Sequence, residues 1–373
     1  MVEEAHAVDL ALVAKIPLVD VKAQYAPLIP ELKRRFEEVL ESGVFILGPN
    51  VKAFEQECID FLGVGDAIGV ANGTDALVLV LDGLGIGAGD EVICPAFTFY
   101  ATAEAIARVG ATPVFADIDA DTLNLNVEDV ARRITAKTKA IMPVHLFGRP
   151  APLAALAALG LPLIEDSAQA FGSPDIATTG VAATFSFFPT KNLFCLGDGG
   201  LVTANDPELA ERVRMLRFHG SRDKVDFELV GYNSRLDEVQ AAMLRVLLKE
   251  LPGFNAARRA GAQVYRDLGL ADVLTVPEDE PGHVYHLFVC RSPERGALRA
   301  SLAEQGIATA SYYTTPLHLQ PAMRQFGYRP GSLPVTEQVA ADNFSLPLWA
   351  GIDTPTQERV VAAVRQAARQ PVR

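Results

Sequence analysis

Short apolar runs recur along this chain near residues 67–71, 91–94, 113–116, 139–144, 161–165, 183–188 and 200–203, and stretches with helical spacing separate them. Alternation of this kind predicts an α/β fold, with a large, mostly parallel sheet covered by helices. From 234 to 250 the segment SRLDEVQAAMLRVLLKE keeps its apolar residues at helical spacing, and Leu251-Pro252-Gly253 is expected to end that helix. The break sets the expected domain boundary. Residues 1–250 form a large α/β domain and 251–373 a smaller α+β domain, with segment 1–30 a candidate to pack on the smaller one. The small domain is read from the strand HVYHLFVC (283–290) and the helix RGALRASLAEQG (295–306), and FGYRPGSLP (326–334) reads as a loop.

The glycine run GLGIGAGDE (83–91) has the look of a dinucleotide-binding turn, but Ala88 and Asp90 stand where the third glycine belongs. It also precedes a strand where that motif follows one, so it is read as a helix-to-strand loop.

Composition narrows the function classes. A length of 373 residues with 49% hydrophobic content suffices for a large core. A formal charge of −13 argues against a nucleic-acid partner, whose phosphates need a basic face. Arg212, Arg214, Arg217 and Arg222 cluster around RFHG and read as a solvated helix face, the alternative being contact with an anionic substrate. The acidic N-terminus does not read as a secretory signal, and the longest apolar run, 150–164, is divided by Gly160 and Pro162 and is too short to span a bilayer. A cytoplasmic protein with no membrane partner is expected. Cys58, Cys94, Cys195 and Cys290 lie far apart, the six histidines are scattered, and neither set predicts a disulfide or a metal site. His145 and His219 read as hydrogen-bonded structural groups.

Three segments carry candidate chemistry. SFFPTKNLFCLGDGG (186–200) sets Lys191 between an apolar strand and a glycine-rich turn, where Phe185, Phe187, Phe188 and Phe194 can favour its neutral, nucleophilic form. LPLIEDSAQAFG (161–172) ends an apolar strand in acids, placing Asp166 where open α/β sheets put ligand groups. A buried carboxylate there needs a cationic partner, and the protonated ring nitrogen of pyridoxal phosphate is one. IGVANGTDAL (68–77) turns at Asn72-Gly73 into a helix whose free N–H groups suit a phosphate.

In this order and spacing, together with GVFILGPNVKAFEQE, GDEVICPAFTFYATAEA, TKAIMPVHLFG, GYNSRLDEVQAA and PLHLQPA, these segments resemble the DegT/DnrJ/EryC1/StrS family of pyridoxal-phosphate-dependent sugar aminotransferases, from IPLVDVKAQY (16–25) almost to the C-terminus. The resemblance implies the type I aminotransferase fold. It makes Lys191 the lysine that holds the cofactor, Asp166 the partner of its ring nitrogen, and Gln169 a group near its phenolic oxygen or ring face. Gly73, Thr74 and Ser186 match the phosphate cradle, and Phe99 the ring that stacks on the cofactor. Asn233 matches a residue that reaches the cofactor phosphate of the neighbouring subunit, which implies a homodimer with a shared active site.

Tyr312, Tyr313 and His318 match the contacts to a sugar nucleotide, although Tyr312 stands where the family commonly has His. The turn SPDIATTG, 173–180, is shorter than the family's. The implied reaction moves an amino group from L-glutamate to a nucleoside-diphosphate keto sugar, with the 3-keto branch favoured and the 4-keto branch as the alternative. A related sugar dehydratase works without the lysine, and a non-catalytic regulatory protein has no need of Lys191, Asp166 and Gln169 together.

Overall fold

The computed structural model describes residues 15–174 and 176–369. The acidic stretch 1–14 and position 175 of the short turn lie outside the described residues. All seven expected strands form: β1 (Asp66–Val70), β2 (Glu91–Pro95), β3 (Thr112–Ala116), β4 (Thr138–Ile141), β5 (Ile164–Asp166), β6 (Ala182–Ser186) and β7 (Gly200–Ala204). They are laid out as β1-β7-β6-β5 and β3-β2-β4. Parallel bridges Ile141↔Leu163 and Val144↔Asp166 join the two halves beside β4 and β5. β7 runs antiparallel to both of its neighbours, β1 and β6, while the pairs β2–β3, β2–β4 and β5–β6 are parallel. The chain between β6 and β7 makes no helical crossover, so it re-enters the sheet from the end it left, and that return carries Lys191. Gly200 opens β7 so close to the end of β1 that a Cβ there would stand 2.4 Å from the Asn72 carbonyl oxygen.

Each face of the sheet buries its own core. On one side Leu77, Leu79 and Leu81 of the helix Gly73–Gly83 pack with Ile106 and Val213. On the other, Phe54, Phe185, Phe187, Leu244, Leu247 and Leu251 pack together. The loop reading of GLGIGAGDE holds, since this helix ends at Gly83 and β2 begins at Glu91.

The expected helix end at Leu251-Pro252-Gly253 is corrected: one helix runs from Glu238 to Asp267 with Pro252 inside it. Proline removes one intrahelical hydrogen bond, at a cost of roughly 3 kcal/mol, but Leu251, Asn255, Arg258, Ala262 and Tyr265 are all buried beyond or beside it, and that packing holds the helix together. The strand expected over 283–290 is also shorter, forming only as β8 (Phe288–Arg291), because residues 283–286 hydrogen-bond elsewhere. β8 pairs antiparallel with β9 (Asn343–Leu346). Ala262 and Tyr265 join Phe288, Phe344, Leu298 and Val360 in a separate core that also takes in Ile16. Ile16 bridges Ile307 as well. We propose the domain boundary near residue 251, where the helix passes from one core to the other, with the segment from residue 15 belonging to the smaller body.

Candidate active site

Asp166 ends β5 at the seam of the sheet. Its N–H donates to the Pro143 carbonyl at 2.9 Å and its carbonyl accepts from the His145 N–H at 3.0 Å. The carboxylate is buried, with Oδ2 accepting from the Thr102 hydroxyl at 2.8 Å and Oδ1 from the Ala168 N–H at 3.3 Å. Burial pushes this carboxyl up, against the opposing pull of Thr102, the Ala168 N–H and the charge of Lys191. Among the described residues it has no ion-pair partner.

Lys191 follows β6 in a turn closed by its N–H to the Phe188 carbonyl at 2.8 Å. Phe185, Phe187 and Phe194 are buried as expected, whereas Phe188 is half exposed. Burial brings the Lys191 amine down to about 8, opposed by the charge of Asp166. An amine so placed is partly neutral near neutral pH.

The helix after β1 opens on Asn72, whose Oδ1 accepts from the Asp75 N–H at 2.8 Å. That leaves the N–H groups of Gly73 and Thr74 at a helix N-terminus for a ligand. Ser186, the last residue of β6, faces the same turn: a Cβ on Gly73 would lie 2.7 Å from the Ser186 Cβ. Gly73, Thr74 and Ser186 are thus brought together.

Gln169 is buried beyond Asp166. Its Oε1 accepts from the Phe147 N–H at 2.7 Å and its Nε2 donates to the Tyr313 hydroxyl at 3.3 Å. The Tyr313 ring lies 6.2 Å from that of Phe99, which is half exposed at the mouth.

Three expected residues lie apart from this cluster. Asn233 is exposed and accepts from the Arg235 guanidinium, while its neighbour Ser234 accepts from the Ala71 N–H at 3.1 Å just before the phosphate turn. Tyr312 is anchored by its N–H to Asn343 Oδ1 at 3.0 Å and meets the cluster only edge-on through Tyr313. His318 is fully buried, its ring near Phe115 and Tyr328 and its Nε2 paired with Glu337 at 3.1 Å.

Other residues are added. Thr102 reaches the centre through Asp166, and the expected Tyr313 reaches it through Gln169. The expected structural role of His145 takes a definite form: the Ala151 N–H donates to its Nδ1 at 2.9 Å, so Nε2 carries the proton and donates to Glu165 at 3.0 Å. Within the arginine cluster Arg212 and Arg222 are exposed as expected, while Arg214 and Arg217 depart from a solvated face. Arg217 is buried and pairs with Glu55 at 2.6 Å, and Arg214 pairs with Glu55 and Asp66. Thr102 and Arg217 carry no local signal, because their partners stand 64 and 162 positions away.

Pyridoxal phosphate fits these residues. The buried carboxylate of Asp166 waits for a cation, the Gly73 turn is a cradle that any side chain would fill, and the neighbouring buried Ser167 hydroxyl lacks a hydrogen-bond partner among the described residues.

Comparison with known proteins places the chain in a family. The profile of the DegT/DnrJ/EryC1/StrS aminotransferase family matches residues 28–365. A "pleiotropic regulatory protein" of Geobacillus stearothermophilus is 45% identical over 95% of this chain and 99% of its own. The dTDP-3-amino-3,4,6-trideoxy-alpha-D-glucose transaminase of Streptomyces venezuelae is 43% identical over 95% of this chain and 97% of its own. The crystal structure of DesV from S. venezuelae, in complex with a ketimine intermediate, superposes with a TM-score of 0.92 at 43% identity, covering 96% of this chain and all of that one.

Proposed function

This chain belongs to the DegT/DnrJ/EryC1/StrS aminotransferase family, and on that premise we propose that it is a pyridoxal-phosphate-dependent enzyme that aminates the 3-keto carbon of a nucleoside-diphosphate sugar, with L-glutamate as donor. The observation that carries this reading is the pairing of a half-buried amine, lowered to about 8, with a buried carboxylate in the same electrostatic neighbourhood. The named product of the S. venezuelae relative, a 3-amino sugar, supports the 3-keto branch.

When bound, pyridoxal phosphate supplies an aldehyde for the donor amine and an electron-withdrawing ring. Lys191 would hold it covalently and, as a free amine, would take and return protons at Nζ. Asp166 holds the ring nitrogen. Gly73, Thr74 and Ser186 hold the phosphate, Gln169 and Phe99 flank the ring, and Tyr313 lines the sugar side.

A regulatory reading draws on the name of the G. stearothermophilus relative. Regulation alone gives no reason to bury Asp166 or to lower Lys191, so catalysis is preferred.

A homodimer with shared sites belongs to the same proposal. Phe36 and Leu40 on the helix Ile29–Ser42 and Val44, Phe45 and Ile46 after it are exposed apolar side chains in one stretch, and Asn233 is exposed beside the phosphate turn. A cytoplasmic setting is supported by four buried, free cysteines. Among the described residues no helix is long and apolar enough to cross a membrane.

The test is to treat the cofactor-loaded protein with glutamate, then add 3-keto and 4-keto nucleotide sugars separately and follow the cofactor absorbance. Recovery with the 3-keto sugar alone supports the full reading. Recovery with the 4-keto sugar alone keeps the chemistry and overturns the position.

A further inference from the structure

Asn192 follows Lys191 directly and is buried, and its side chain and its carbonyl are both engaged by distant parts of the chain. Its Nδ2 donates to Asn255 Oδ1 at 2.8 Å and to the Val284 carbonyl at 2.9 Å. Asn255 donates in turn from Nδ2 to the Phe171 carbonyl at 3.0 Å. Backbone carbonyls only accept, so the orientation of each amide is fixed by its partners: Asn255 turns Nδ2 to Phe171 and Oδ1 to Asn192, and Asn192 answers with Nδ2. The two amides thus link the segment that carries Asp166 and Gln169, which runs on into Phe171 and Gly172, to the turn that carries Lys191. Gly172 holds φ at 83°, and a Cβ on it would lie 2.7 Å from Asn255 Nδ2, so segment and amide meet with no room for a side chain.

Asn255 and Arg258 stand three positions apart on one face of the long helix, just beyond Pro252. Arg258 is 1% exposed and donates to the carbonyls of Tyr285 and His286 and to Gln24 Oε1. Gln24 donates to the Asn192 carbonyl at 3.4 Å. One helix face therefore serves Asn192 twice, at its side chain through Asn255 and at its backbone through Gln24. The Lys191 N–H goes to the Phe188 carbonyl at 2.8 Å, so the backbone that carries the lysine is held before and after it.

Asn192 Oδ1 is buried with no hydrogen-bond partner among the described residues. An orphaned acceptor is costly, and leucine would fill nearly the same space without one. What leucine lacks is the pair of donors.

We propose that Asn192 and Asn255 are positioning residues for Lys191: their hydrogen bonds set where the lysine backbone stands relative to the Asp166 segment, so that the amine starts each swing from a fixed point. The amine is carried by the turn after β6, yet its placement answers to groups beyond residue 251, Asn255 and the Val284 carbonyl. The inference rests on the reading of Lys191 as the lysine that holds the cofactor.

The test uses the full chain freed of cofactor and two probes. Pyridoxal phosphate joins a lysine covalently, and the adduct is trapped with borohydride at timed intervals and located by mass spectrometry. Pyridoxamine phosphate has the same ring and phosphate but no aldehyde, so its affinity reports the pocket without the lysine. In Asn192→Leu capture at Lys191 should slow about tenfold, the scale of one buried hydrogen bond, with pyridoxamine phosphate affinity within about twofold of wild type. Asn255→Leu should slow capture by a similar factor. The double variant should be no slower than the slower single one, because the two act through one bond. Asn192→Ala removes the same donors and carries the comparison should the leucine variant not fold.

Capture at the wild-type rate in Asn192→Leu overturns the proposal while leaving the assignment of Lys191 intact. Capture and pyridoxamine phosphate affinity falling in step assign Asn192 to packing of the pocket and overturn it as well. Losses that multiply in the double variant make the two residues independent, which also overturns it. Failure of the wild type to form an adduct at Lys191 overturns both readings.

Discussion

The Thr102 hydroxyl donates to Asp166 Oδ2 at 2.8 Å, joining the helix Ala101–Arg108 to the end of β5. It is the side-chain hydrogen bond that opposes burial at this carboxyl. Thr102→Val keeps the shape and removes the donor, so the carboxyl moves further up. The acid limb of the kcat/KM profile should then shift to higher pH and the rate at neutrality should fall by about tenfold, the worth of a hydrogen bond to a charged group. Thr102→Ser should behave as wild type. An unmoved acid limb in the Val variant would show that Thr102 does not govern Asp166.

Lys191→Met should abolish transamination and stabilise the cofactor-free protein. A lysine whose folded value is lowered to about 8 from 10.5 carries a penalty for its charge, present in full below pH 8 and lost as pH rises towards 10.5. The gain should be about 1–3 kcal/mol at pH 7 and vanish above 10.5, measured by urea denaturation across that range. A gain that does not depend on pH would mean the amine is solvated.

Glu165 lies beneath the site, accepting from His145 and from the N–H groups of Ala177 and Gly180. Burial pushes its carboxyl up, yet these donors together hold it below the usual value of 4.5. Its stabilisation is therefore present above pH 4.5 and lost as pH falls through the lowered value. Glu165→Ala leaves three buried donors unpaired and should cost about 3 kcal/mol or more. Denaturant titrations at pH 7 and in the acid range give both the cost and its decline.

Gly73→Ala should weaken pyridoxal phosphate binding by about tenfold or more, because the new methyl group enters the space between the phosphate turn and Ser186. Adding Ser186→Gly removes the atom 2.7 Å away and should recover the melting temperature but not the affinity, since the cradle has lost a hydroxyl. Full recovery of affinity would take Ser186 out of the phosphate site.

The seven large-domain strands were legible because each is a short apolar run between turn signals, and Lys191, Asp166 and Gly73 stand at the ends of such runs. What local pattern could not supply is partnership across distance. Pro252 reads as a stop in any local window, and only the burial of residues from both cores explains why the helix continues. His286 lies inside a run that reads as strand, yet its N–H goes to the Phe147 carbonyl. Arg214 and Arg217 look solvated until Glu55, far upstream, folds beneath them. The resemblance makes His318 a substrate contact, but its surroundings are those of a core residue.

The helix Glu238–Asp267 also acts as a mechanical member. A rod embedded in two cores converts any swing of one against the other into bending along its own length, and a rod bends where it is thinnest. That place is Pro252, which offers no N–H to the Leu248 carbonyl, so the member that joins the two cores is weakest where it passes from one to the other.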